Sequence, residues 1–370
     1  MFYYCIFFMS SLFIGISSLF NKRKSKFFQI LFVMLGILVL ALVSGLRDYS
    51  IGTDTVNYNL FYNYANTAAN LVQYCGSLKH ISGVEYGFSI ICYFVAKSGL
   101  SPHVFYFLCQ SLIALNVFLA LNIMSRNLSV TLGWMTYCFM FYTSSFNILR
   151  QMIALSFILL GIAYMYRNQR IKSILLFAVA CLFHNSSIIG ILIFLTGYSV
   201  MKFKDKKKLV IAIGIITALI LLLPKTIGFL NFGGLLSDKY SEYLVGNVKV
   251  PILLTGAIRL PMIICMLWCI IHNKENNKRA DIFIYLLIVF ELIMIPLQNI
   301  SPAVARLLLV FGIAKVIGYP LIINNMFRKP TLSKIIIQLL FIIYLGLIFY
   351  IQVIQNNNGM VYPYIIAVNS

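Results

Sequence analysis

Long apolar stretches, several of them near 20 residues, follow one another along this chain with only short polar breaks. A run of ~20 apolar residues crosses the ~30 Å hydrocarbon core of a bilayer as a helix. Lipid offers no partner to open backbone N–H and C=O groups, so a spanning chain must be helical or a closed barrel. The runs fall at 2–20, 27–46, 86–100, 103–124, 129–147, 149–166, 172–185, 186–201, 208–223, 252–271, 281–299, 304–323 and 335–354. Two of them, 86–100 and 172–185, are short, and the expectation is about 12 or 13 transmembrane helices. A mean hydropathy of +0.92 with 10% charged residues leaves no room for a separate soluble domain. The fold class expected is therefore all-α: a polytopic integral membrane helical bundle, one domain over 1–370, without internal repeats or low-complexity tracts. The chain is apolar from Met1 and lacks a basic n-region or a small-residue cleavage site, so its first run is expected to be retained.

The net charge of +20 is concentrated in short loops. Lys22, Arg23, Lys24 and Lys26 form one group, and Arg167, Arg170 and Lys172 another. Lys202 to Lys208, then Lys274, Lys278 and Arg279, then Arg328, Lys329 and Lys334 complete the pattern. Basic residues between spans mark the cytoplasmic side. A nucleic-acid partner is excluded as the explanation, because no folded basic domain exists to present such a surface. The rule places 47–85, 224–251, 299–303 and the tail 355–370 outside. One inconsistency follows: four apolar runs separate the outer loop 47–85 from the inner loop 167–172, where an odd number of crossings is required. One of them must be re-entrant or fused to its neighbour. Seven of the eight cysteines lie in apolar runs and Cys75 stands alone, so no disulfide framework or Cys-x-x-Cys site is present.

Charge at the edge of hydrocarbon is costly and is retained where it pairs or binds something. On this topology the costly groups gather at the outer side. Two of the nine acidic residues, Asp48 and Asp54, sit with Arg47 and Tyr58 in one block running from Arg47 to Tyr58. Glu85 and Tyr86 close the first outer loop, and Arg150 and Gln151 head the run 149–166. His184 and Asn185 end a hairpin, Arg259 lies inside a span, and Arg306 follows the short loop at 299–302. Four arginines on the side that the charge rule depletes suit an anion, since guanidinium binds phosphate and carboxylate through a fixed bidentate fork. Such a cluster would also stabilise charge building on a phosphate leaving group.

Each residue has a plainer explanation. Arg47 and Asp48 fit an interfacial ion pair, Asp54 an Asx-turn after Gly52-Thr53, and Glu85 a partner for Lys79 or an arginine. Arg150 near the surface would snorkel to headgroups, and His184 alone fits an interfacial histidine. Arg259 and Arg306 resist dismissal, since burying arginine in a span costs at least ~2.5–3.5 kcal/mol, though a salt bridge to Glu291 or an outer carboxylate would suffice. The tyrosines of the first outer loop fit an aromatic belt as well as sugar stacking. Walker A, Gly-x-Ser-x-Gly and His-Glu-x-x-His motifs are absent. Asp48, Asp54 and Glu85 lie among arginines that compete with Mg²⁺ for them, so no metal or cofactor is assigned.

At these residues the chain resembles the EpsG/Wzy-type polysaccharide polymerases of bacterial envelopes. The matching pieces are Gly45-Leu46-Arg47-Asp48 running into Ile51-Gly52-Thr53-Asp54-Thr55 and Tyr58; Glu85-Tyr86-Gly87; Leu149-Arg150-Gln151 with Ala154; Phe183-His184-Asn185-Ser186; and Tyr362-Pro363-Tyr364. They cover nearly the whole chain in order, the first block being the most specific. The resemblance implies a glycosyltransferase at the outer face of the bacterial cytoplasmic (inner) membrane. It would join undecaprenyl-diphosphate-linked oligosaccharide units into an exopolysaccharide, capsule or O-antigen chain, with a flippase and a chain-length regulator as family partners. On that view Arg150 and Arg306, with Arg259 third, bind the diphosphate, and His184 contacts it or the acceptor hydroxyl. Asp48, Asp54 and Glu85 hold sugar hydroxyls, one of them acting as a general base. Tyr58 and Gln151 complete the substrate-binding set, and Arg47 orders Asp48 or Asp54. A lipid-linked oligosaccharide flippase, a glycan ligase, a membrane O-acyltransferase and a small-solute transporter remain the rival functions. A flippase would be expected to have duplicated halves and a charged central cavity, and an acyltransferase draws its donor from the cytoplasm, whereas the polar residues here gather at the outer face.

Overall fold

The computed structural model describes residues 1–22, 25–232, 252–272, 278–299, 302–327 and 331–367. Most of the expected outer loop 224–251 lies outside the described residues, as do Arg23, Lys24, Lys274, Arg328, Lys329 and the loop positions Ile300 and Ser301. Every regular element described is helical; the one extended feature is an isolated bridge between Arg47 and Ile366.

An antiparallel pair, α1 (Phe2–Lys22) and α2 (Lys26–Gly45), opens the chain. It closes tightly at Gly36, whose carbonyl accepts from the Ser10 hydroxyl at 2.7 Å. The first outer loop is not a loop but two short helices, α3 (Thr55–Thr67) and α4 (Leu71–Ser82), followed by α5 (Tyr86–Lys97). Asn70 caps α4 by accepting from the Gln73 N–H at 2.9 Å, which satisfies one orphan donor of its first turn. Then come α6 (Pro102–Ile123), α7 (Val130–Met140), α8 (Leu149–Tyr166), α9 (Arg170–Cys181), α10 (Gly190–Lys202) and α11 (Lys206–Phe232). The remainder is α12 (Ile252–His272), α13 (Arg279–Met294), α14 (Pro302–Gly312), α15 (Lys315–Met326) and α16 (Leu332–Phe349).

Helix α8 is the axis of the bundle: 83% of its apolar window is buried in protein, against 17% for α12 and 22% for α16, which face lipid. Apolar side chains are needed in both settings, so hydropathy alone does not separate spans from buried helices among the 12 or 13 runs expected. Eight helices are long and apolar enough to cross a membrane among the described residues, or nine with α14 and α15, which meet at a 41° bend, taken as one span. Run 129–147 breaks after Met140 into α7 and a 3₁₀ turn, its Trp134, Tyr137 and Cys138 fully buried in the bundle rather than facing lipid. Runs 86–100 and 172–185 yield α5 and α9, each of 12 residues, or about 18 Å at 1.5 Å per residue. Run 208–223 falls in α11, whose side chains are described as far as Leu222. Between the loops at 85 and 167, α6 ends at Ile123 beside the Arg167 guanidinium, α7 with its 3₁₀ turn leads back to the start of α8, and α8 returns to Arg167, three passes and so the odd number that opposite sides require.

The two ends of the bundle differ in chemistry. At one end Arg167 donates to the Ile123 carbonyl at 2.6 Å, Arg279 to the Phe203 carbonyl at 2.7 Å, and the Tyr166 hydroxyl to Asp281 at 2.6 Å. The described basic residues of the connections at 167–172, 202–204 and 278–279 gather here. At the other end of α8, about 27 Å away, the tail 360–367 stitches down the block after α2. The Asp48 N–H donates to the Ile365 carbonyl at 2.9 Å, that of Gly52 to Met360 at 3.0 Å, and that of Ala367 to Leu46 at 2.9 Å. Gly52 is required there. Its φ is +94°, and a Cβ would sit 2.8 Å from the Phe146 carbonyl oxygen.

Candidate functional site

The site is assembled around the first turn of α8. The Tyr58 hydroxyl, on α3, donates to the Asn147 carbonyl at 2.9 Å and accepts from the Leu149 N–H at 3.0 Å. The Asn147 side chain in turn accepts from the Thr53 N–H at 2.6 Å. These bonds lock α3 and the preceding turn to the start of α8, which presents Arg150 and Gln151 one and two residues further on.

A second junction delivers the carboxylate. The N–H of Gly87 in α5 donates to the Leu182 carbonyl at 2.8 Å. A Cβ at that glycine would stand only 2.7 Å from the same oxygen, so the approach of α5 to the end of α9 depends on its absence. The contact sets Glu85, which precedes α5, against His184, which follows α9. One Glu85 oxygen, Oε1, accepts from His184 Nδ1 at 3.0 Å and from the Asn185 N–H at 3.1 Å. The other, Oε2, accepts from Arg150 Nη1.

Glu85 and His184 are buried, whereas the Arg150 side chain keeps 22% exposure. Burial alone would raise the Glu85 carboxyl, but the His184 bond and the Arg150 charge outweigh it and hold the group at about 2. For His184, burial pushes the imidazole below its ordinary value; the bond to Glu85 opposes this, and the charges of Arg150 and Arg306 add to it. The result at neutral pH is a neutral ring held by a carboxylate. With Nδ1–H donating to Glu85, Nε2 is left as an acceptor, the tautomer assignment following from that bond.

Asp54, Tyr58, Ile148, Arg150, Gln151, His184 and Arg306 line a narrow cleft of about 20 Å³, room for about one water. Gln151 donates to the Arg306 carbonyl at 2.7 Å, tying α14 to α8, and its buried Oε1 has no hydrogen-bond partner among the described residues. Six of the ten expected site residues thus line one cleft: Arg150, His184, Asp54, Tyr58, Gln151 and Arg306. Glu85 stands behind them as the common acceptor, which makes its partners Arg150 and His184 rather than Lys79.

Three residues are placed elsewhere. Asp48 forms the Asx-turn expected for Asp54, accepting from the Ser50 N–H at 2.9 Å and hydroxyl at 2.6 Å. Arg47 neither orders Asp48 or Asp54 nor reaches the cleft. Its side chain is fully buried between the rings of Tyr106, 4.2 Å away, and Phe146, 4.5 Å away. It donates to the Ser44 carbonyl and hydroxyl at 3.0 and 2.8 Å. Aromatic faces replace the expected carboxylate. Arg259 takes the plainer alternative, pairing with Glu291 at 2.7 Å, and Lys315 joins the same oxygen at 2.7 Å.

Lys315 and Asn147 were not singled out by the sequence argument. Lys315 had a signal, a lysine inside the apolar run 304–323, by the rule that marked Arg259. Nothing local announces that Asn147 will cap a turn 94 positions earlier in the chain. Among the described residues no group of three or more His, Cys, Asp or Glu side chains could hold a metal ion.

Neither curated proteins nor solved structures give a match to the chain. A family model does, over residues 30–366, a stretch that contains every residue of the cleft. By that match this multi-pass membrane protein belongs to the EpsG family.

Proposed function

We propose that the chain is a polysaccharide polymerase acting on polyprenyl-diphosphate-linked oligosaccharides, with the cleft opening to the outside of the bacterial cytoplasmic membrane. EpsG membership suggests a polysaccharide polymerase-type activity; the finer assignment rests on chemistry. The observation that carries it is the Glu85 carboxylate shared by His184 and Arg150 at a cleft with a second arginine, Arg306. This pairs a neutral imidazole base with cations suited to a diphosphate.

In the reaction proposed, an acceptor sugar hydroxyl of one lipid-linked unit attacks the anomeric carbon of the glycan held on another. The carbon–oxygen bond to the diphosphate breaks, and the diphosphate departs with the electron pair. Arg150 and Arg306 neutralise the charge it gains, an electrostatic role of the kind that dominates such barriers. The hydroxyl proton passes to Nε2 of His184, and Glu85 orients the ring and stabilises the imidazolium that forms. Gln151 Oε1, buried without a partner, and Asp54 accept from sugar hydroxyls. Side chains at the mouth, foremost the partly exposed Arg150, must swing aside to admit a sugar. What supports the outward orientation is that the cleft and the basic connections lie at opposite ends of α8.

The test is the size distribution of lipid-linked and surface glycan in cells lacking the gene, complemented with wild type or Arg150→Ala. A polymerase leaves single repeat units on lipid, displayed outside, when absent or when Arg150 is removed. Units held on the cytoplasmic side would make it a flippase, and full-length polymer left on its carrier a ligase; either outcome refutes the assignment.

A further inference from the structure

A cavity far larger than the candidate cleft lies among the described residues. It lies at the opposite end of the bundle, where α1, α2, α6, α7, α15 and α16 come together, and has a volume of about 750 Å³, within the ~300–1,000 Å³ of ordinary ligand pockets. Its wall is polar and one-signed. Arg126 and Lys334 supply two cations, and Gln29, Asn122, Asn324 and Gln338 supply amides. None of the described acidic residues lines it.

Neither cation is neutralised by a carboxylate among the described residues. Lys334 Nζ donates to the Asn324 side-chain oxygen at 2.7 Å, a neutral acceptor, and Asn324 is itself steadied by donating to the Asn127 carbonyl at 2.8 Å. Two helices begin at this wall. Ser129 caps α7, accepting from the Leu132 N–H at 3.4 Å, and Thr331 caps α16, accepting from the Lys334 N–H at 3.3 Å. Their positive dipole ends add to the two side-chain charges.

We infer that this cavity binds a phosphate-bearing anion at the basic end of the membrane domain, and that its occupant is the headgroup of an acidic phospholipid. A soluble phosphate compound would satisfy the same cations, but the surroundings favour an amphiphile. Leu19 of α1, Phe27 and Ile30 of α2, and Leu332 and Ile335 of α16, each within two residues of the lining side chains Ser18, Gln29 or Lys334 in the chain, are all exposed and apolar. They provide the bed for acyl chains that a free phosphate does not need. Basic pockets between helices at the cytoplasmic level recognise anionic headgroups in this way. The inference stands independently of the polymerase proposal, since it concerns the other end of the protein.

The full-length chain, purified in neutral detergent and stripped of lipid, is titrated by native mass spectrometry with phosphatidylglycerol, phosphatidylcholine and inorganic pyrophosphate. Phosphatidylglycerol is expected to bind about tenfold more tightly than phosphatidylcholine, equivalent to ~1.4 kcal/mol. The double variant Arg126→Gln, Lys334→Gln is expected to lose that preference. A charge-matched control at the same end, Lys207→Gln with Lys208→Gln, retains it. Both altered side chains of the test variant are at least partly solvent-accessible, so neither removal threatens the packed core. Equal binding of the two phospholipids by wild type, or an undiminished preference in the double variant, overturns the inference. Pyrophosphate displacing the phospholipid at equal concentration reassigns the cavity to a soluble anion and overturns the lipid occupant.

Discussion

Replacing Glu85 by glutamine keeps the shape of the side chain and removes its charge. It also turns an NH₂ donor toward a partner that itself only donates: with Oε1 still serving His184 and Asn185, the new amide nitrogen faces the Arg150 guanidinium. The carboxyl is held at about 2 against an ordinary value of 4.5, which corresponds to about 3 kcal/mol of preference for the charged form in the folded state. Removing one member of a buried pair costs ~3–5 kcal/mol, and the 22% exposure of Arg150 places the cost at the lower end, since water can solvate part of the orphaned guanidinium. Both routes give about 3 kcal/mol, or about a hundredfold in the folding equilibrium. Because the folded value is depressed, the wild-type advantage is complete above pH 4.5 and is lost as pH falls toward 2. Reversible unfolding in mixed micelles, wild type against Glu85→Gln, should therefore show the full difference at pH 7 and a shrinking one below pH 4.5. A difference under ~1 kcal/mol at pH 7, the range of an exposed pair, or one that persists undiminished near pH 2, would refute the electrostatic account of the site.

Three further outcomes follow from the same geometry. Gly87→Ala should push α5 off the Leu182 carbonyl and cost about 1–3 kcal/mol, read as a lower unfolding midpoint together with loss of polymer; unchanged stability would show that the junction is loose. Glu291→Gln strands Arg259 and Lys315 in the bundle and should cost about 3–5 kcal/mol, seen as a collapsed folded peak in detergent size-exclusion chromatography, whereas a normal peak would mean that the two cations find other acceptors. The rate of polymer formation in inverted vesicles should fall on the acid side only below pH 6.5, because burial and the two arginines lower the His184 imidazole, and Glu85→Gln should move any residual limb further down by removing the one group that raises it. A limb above pH 6.5 would exclude a neutral His184 as the base.

Much of the cleft was legible because lipid makes charge conspicuous. Arg150, Glu85, His184 and Arg306 stood out against apolar sequence, and positions about 65, 99 and 155 residues apart meet in the structure. The same cue failed at Arg47, since the cost of burying a guanidinium can be met by the faces of Tyr106 and Phe146 as well as by a carboxylate, and aromatic partners are too common here to single out. The helix count was less legible for a related reason: hydropathy measures how apolar a segment is and not whether protein or lipid covers it, so the largely uncovered α16 and the buried α7 read alike. The separation of two groups of charge along α8 is the clearest link between sequence and structure, because its two halves are independent. Counting Lys and Arg in loops uses no packing information, and the hydrogen bonds at the start of α8 use no loop charges. Yet Glu85, Arg150 and His184 meet at one end of α8 while Arg167 and Arg279 bond at the other. The Glu85 cluster thus lies about 27 Å along α8 from these loop-borne arginines, and it is on that separation that the proposed outward orientation rests.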